Sequence, residues 1–65
     1  METWEISTTA EHEITMIRKW VQRTPAATFE RIDAQTVNVY IDNDQRAEND
    51  LDEMCESYGI KARLI

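Results

Sequence analysis

The sequence predicts an α+β fold in the order β-α-β-β-α-β. Apolar residues recur at helical spacing in two stretches and alternate with polar ones in the stretches between. The single proline and the single glycine each fall where a helix has to stop.

Thr3 to Ile6 alternates, with Trp4 and Ile6 on one side and Thr3 and Glu5 on the other, as in a short half-buried strand. Ser7, Thr8 and Thr9 supply capping hydroxyls. Thr8 and Glu11 have the capping-box spacing, in which hydroxyl and carboxylate each satisfy a free backbone N–H. A helix follows from Ala10 to Arg23, with Ala10, Ile14, Ile17 and Val21 as its stripe and Trp20 on the flank. Arg18, Lys19 and Arg23 complement the negative end of its dipole, and Pro25 ends it.

Thr28 to Ile32 and Thr36 to Ile41 read as strands. In the second, Val37, Val39 and Ile41 alternate with Thr36, Asn38 and Tyr40. In the first, Phe29 and Ile32 are out of phase, which calls for a bulge or a register shift. Asp33, Ala34 and Gln35 connect the two, without the glycine usual in tight turns. Asp42, Asn43 and Asp44 bring turn and N-cap chemistry. The second helix runs from Gln45 to Tyr58 on a stripe of Ala47, Leu51, Met54, Cys55 and Tyr58. Gly59 stands where the chain needs positive φ, and a last strand alternates from Ile60.

This order is the ferredoxin-like arrangement: two split right-handed crossovers around a central hairpin, a four-stranded antiparallel sheet, and both helices on one face. The other face carries Thr3, Glu5, Asn38, Tyr40, Lys61 and Arg63.

Residues 1–65 make a single domain. A chain this short buries only roughly 60% of its unfolded surface. Cys55, the lone cysteine, forms no intrachain disulfide, and no Cys/His cluster calls for zinc; no cofactor is expected. A lone buried thiol fits a reducing cytoplasm. The N-terminus lacks the basic and apolar runs of a signal peptide, and the initial methionine reads as the start of a complete gene product. No apolar run approaches a membrane span. Thirteen acids against seven bases leave a net charge of −6. Nucleic acid and anionic membrane repel such a body, and a basic protein surface attracts it. Acidity also serves solubility or adaptation to salt.

Catalytic groups do not converge. His12 faces away from the apolar stripe, and spacing places no nucleophile beside it. Cys55 belongs to the buried stripe, among acids that raise its pKa. Asp42-Asn43-Asp44 opens like a calcium loop, but Arg46 and Ala47 occupy the fifth and sixth positions, where a ligand and a glycine are needed. Metal-carrying domains of this fold place paired cysteines where this chain has Ser7, Thr8 and Thr9. The expectation is a binding protein, not an enzyme. Tyr40, Lys61 and Arg63 give one alternative, RNA binding on the open sheet face, although the glycine-aromatic signature is missing. Unprotected sheet edges give another, a structural or regulatory homodimer.

The acids are unevenly spread. Asp42, Asp44, Glu48, Asp50, Asp52, Glu53 and Glu56 fall within fifteen residues, opposed only by Arg46, which has Asp50 at i+4. Carboxylates near a helix N-terminus stabilise its dipole by roughly 0.3–1 kcal/mol each. That accounts for Asp42, Asp44 and Glu48, and at the margin for Asp50. It does not account for Asp52, Glu53 and Glu56, which phasing places outward on the second half of the helix. Fifteen residues of helix span roughly 22 Å, so the seven charges recur about every 3 Å, close to the phosphate spacing along a DNA strand.

In size, fold class and this carboxylate row, the chain resembles small acidic phage-encoded inhibitors, the anti-CRISPR proteins of the DNA-mimic kind. The resemblance implies a monomer or weak homodimer in the host cytoplasm that occupies a basic DNA-binding site of a CRISPR surveillance complex. Asp52, Glu53 and Glu56 would lead the contact.

Overall fold

The computed structural model describes residues 1–65. Its elements are β1 (Glu2–Ser7), α1 (Glu11–Gln22), β2 (Ala27–Arg31), β3 (Thr36–Ile41), α2 (Gln45–Ser57) and β4 (Lys61–Leu64). The strands form one antiparallel sheet in the order β2-β3-β1-β4, so the ferredoxin-like arrangement holds.

Strand parity explains the layering. Trp4 pairs with Val39 and Leu64, and Ile6 pairs with Val37 and Ala62, so one sheet face is apolar. Both helices pack there. Ile14, Ile17 and Val21 of α1 and Ala47, Leu51 and Cys55 of α2 join Ile6, Val37, Val39, Ile41 and Ile60 in one core, with no buried charged or polar residue. Full burial of each large aliphatic side chain contributes about 1.5–3 kcal/mol, and these eleven residues are the whole of the buried core.

The helix ends show how local chemistry sets the boundaries. The Thr8–Glu11 capping box does not form, because α1 begins two residues later than that spacing requires and Ala10 is its N-cap. The Thr8 hydroxyl instead accepts from the Ala10 N–H at 3.2 Å and donates to the Glu13 carboxylate. At the end of α2, Ile60 N–H reaches the Cys55 carbonyl at 2.8 Å and Gly59 N–H reaches Glu56 at 3.2 Å. These two bonds close a Schellman cap around Gly59, whose φ of 68° suits glycine. The cap also corrects the apolar stripe. Tyr58 is the C-cap and lies 60% exposed, while Ile60 turns inward beside Cys55 and closes the core in its place.

The phase problem in β2 resolves at its end. The strand stops at Arg31, and Ile32 and Asp33 both donate to the Thr36 carbonyl, at 3.0 and 3.2 Å. Ile32 is left outside the alternation and 49% exposed. Asp33 then turns the chain, its carboxylate accepting from Gln35 N–H at 2.8 Å. That bond is the main reason its pKa lies below the ordinary carboxylate value.

Candidate functional site

Helix α2 is held by its inner face and by two of its acids. Asp44 is the N-cap, accepting from Ala47 N–H at 3.0 Å. Glu48 accepts the Trp4 indole N–H at 3.3 Å, which ties the helix to the central strand β1. Both carboxylates are half-buried. Asp42 is exposed in the turn after β3, beside Asn43, which takes a φ of 51°. Asp50 is exposed on the opposite flank from Glu48.

Asp52, Glu53 and Glu56 are all exposed, as the phasing predicts. None has a basic partner. The molecule has two ion pairs, Arg31–Glu11 at 2.9 Å and Arg63–Glu5 at 2.8 Å, and neither touches α2. The Arg46–Asp50 pair that the spacing allows does not form; along the first turns Gln45 bonds Asn49 at 3.1 Å instead. No basic residue stands in the last turn of α2. Glu48, Asp52 and Glu56 recur every four residues and form one ridge, with Glu53 beside it.

Sequence reasoning missed one neighbour of that ridge. Glu2 lies with Trp4, Glu48, Asp52 and Leu64 around a shallow hollow between α2 and the sheet. Strand parity held the signal: Glu2 shares its face with Trp4 and Ile6, on the central strand beside β4.

The other chemistry-bearing residues sit apart. Cys55 is 1% exposed, and its thiol is pushed up from 9.0 to about 11, first by burial and then by the charges of Asp52 and Glu13. It is a core side chain. His12 is exposed on α1 and shares a shallow depression with Thr15, Met16, Lys19 and Arg23, so the outer face of α1 is basic where that of α2 is acidic. Arg18 lies over the Phe29 ring at 5.2 Å. No group of three or more His, Cys, Asp or Glu side chains has the geometry to hold a metal ion. No helix is long and apolar enough to cross a membrane.

The open face of the sheet brings Tyr40, Lys61 and Arg63 onto one surface, interleaved with carboxylates. Tyr40 donates to Glu30 at 2.5 Å, and Arg63 is paired with Glu5. Asn38, between these groups, has the one buried side-chain polar atom without a hydrogen-bond partner, its Oδ1.

Fold and surface together define a small acidic α+β domain of ferredoxin-like arrangement with one unneutralised helix face. No protein-family model, curated protein or solved structure matches the chain.

Proposed function

We propose that this domain is a binding protein whose α2 ridge docks on a basic, nucleic-acid-binding surface of another protein. The observation that carries the reading is the contrast in charge pairing. Arg31 and Arg63 each meet a carboxylate elsewhere on the surface, while Asp52, Glu53 and Glu56 are exposed and unpaired at the helix end that disfavours negative charge. Fold stability gives no reason for them. A ridge of exposed carboxylates offers a basic groove the kind of negative charge that a nucleic-acid backbone would bring to it. Association of this kind is fast and weakens with salt.

The particular form we propose is an inhibitor of the anti-CRISPR kind, acting in the cytoplasm on the DNA-binding site of a surveillance complex. A mobility-shift assay with purified surveillance complexes and their target duplexes tests it. The wild-type protein should block duplex binding by at least one complex, and the variant Asp52→Asn/Glu53→Gln/Glu56→Gln should not. Inhibition that survives in the triple variant contradicts the role of the ridge; no inhibition of any complex removes the anti-CRISPR form.

A further inference from the structure

We propose that the open face of the sheet binds the same face of a second copy, about a two-fold axis that runs along the strands between β3 and β1. The strand pairings place Glu30, Asn38, Glu5 and Arg63 side by side, one on each strand in sheet order. That row reads acid, amide, acid, base. A two-fold axis along the strands reverses the order, so β2 lies over the partner's β4 and β3 over the partner's β1. Glu30 then meets the partner's Arg63, and the same contact repeats on the other side of the axis.

An axis across the strands does the opposite. It sets β2 over β2 and β4 over β4, bringing glutamate near glutamate and arginine near arginine. Charge therefore selects one of the two symmetric ways to stack the sheets. The groups have capacity for it. Arg63 uses one nitrogen on Glu5 and is 72% exposed. Glu30 uses one oxygen on Tyr40. Both lie on edge strands, at the wet rim of such an interface, where ion pairs set register without the full cost of burial.

Apolar groups follow the same symmetry. Met1, 79% exposed, lies beside Thr28, Glu30 and Tyr40. Ile65, 60% exposed, continues past β4 with its N–H on the Thr3 carbonyl at 2.9 Å. Stacking brings the Met1 and Tyr40 end of one sheet over Ile65 of its partner. Glu5 and Glu30 balance Lys61 and Arg63, so this face is neutral in a chain of net charge −6. A molecule of 28 × 22 × 22 Å offers a sheet face of at most about 600 Å². Two such faces reach only the low end of specific interfaces, about 1,200 Å². The dimer is accordingly weak, and it leaves both α2 ridges outward, so it stands whether or not the ridge binds a partner.

Sedimentation equilibrium from micromolar to millimolar protein at moderate salt tests the proposal. The mass should rise from 7.6 kDa toward twice that value. Arg63→Glu sets acid over Glu30 and Glu30→Arg sets base over Arg63, so each variant alone should associate at least tenfold more weakly. Mixed, the two restore both contacts and should form a heterodimer. Circular dichroism confirms that each is folded, since both positions are exposed. A wild type that stays at 7.6 kDa throughout overturns the proposal, as does a dimer indifferent to both variants. Single-stranded RNA bound by a monomeric wild type and released by Arg63→Glu would assign the face to RNA instead.

Discussion

Helices α1 and α2 solve the same problem inside and opposite problems outside. Each buries three residues against the same sheet face, Ile14, Ile17 and Val21 in one and Ala47, Leu51 and Cys55 in the other. The outer charges of α1 follow its dipole. Glu11 and Glu13 sit in the first turn, tied to Arg31 and Thr8, and Lys19 sits in the last turn with Arg23 as C-cap. The outer charges of α2 run against its dipole through the second half. Two helices under equal demands from the core thus separate what the fold needs from what it does not, and the ridge of α2 falls in the second class.

The largest effects should come from the side the helices share. Ile17→Ala under α1 and Leu51→Ala under α2, both at fully buried positions, should each cost about 2–5 kcal/mol. At about 0.05–0.15 kcal/mol per residue of total stability, either loss comes close to unfolding the domain. Urea denaturation reads this, and a helix that tolerates its substitution would break the symmetry of the comparison.

On the outer side the two helices should respond with opposite signs. Lys19→Gln/Arg23→Gln on α1 should lower stability by roughly 0.3–1 kcal/mol, as favourable dipole interactions go. Asp52→Asn/Glu53→Gln/Glu56→Gln on α2 should raise it by about 0.5–1.5 kcal/mol, because like charges at i,i+3 and i,i+4 and the helix end are both relieved. Urea midpoints at low salt measure both. A destabilised triple variant would make the acids structural.

A smaller effect links the ridge to the core. Burial and the charges of Asp52 and Glu13 raise the Cys55 thiol to about 11, so its contribution to stability is complete below about 9 and is lost as pH rises through about 11. Asp52→Asn should bring the thiol down partway, since burial is the larger cause. Thiolate absorbance during alkaline titration shows the shift; no movement would place Asp52 too far away to matter. The smallest effect is at the start of α1. The bond and charge of Arg31 hold Glu11 below 4.5, which adds stability above that pH and loses it as pH falls further. Arg31→Gln should return the Glu11 carboxyl to its ordinary value in an NMR titration, and an unmoved Glu11 would refute the pair.

Most of the fold was legible because it rests on period and punctuation. Val37, Val39 and Ile41 alternate cleanly, and Gly59 marks the end of α2. The errors lie where one short-range rule met a competing bond. Thr8 chose Glu13 over Glu11 because α1 begins at Glu11. Tyr58 fits the helical period but lies past the last helical residue, and Ile60, delivered by the glycine cap, fills the core. At the site, phasing alone placed Asp52, Glu53 and Glu56 outward. It left open the tether from Trp4 to Glu48 and the approach of Glu2, which join residues far apart in sequence and depend on the sheet order. The missing Arg46–Asp50 pair shows that spacing permits an ion pair without making one.

Capture in competition with DNA tests whether the α2 ridge is a docking surface. Wild-type protein and the triple neutral variant are each immobilised and exposed to nuclease-treated lysate from a bacterium carrying CRISPR systems, and bound protein is eluted with duplex DNA. The wild type should retain a DNA-binding protein that duplex DNA releases, and the triple variant should not retain it. Equal retention by both, or retention that duplex DNA cannot displace, would contradict it.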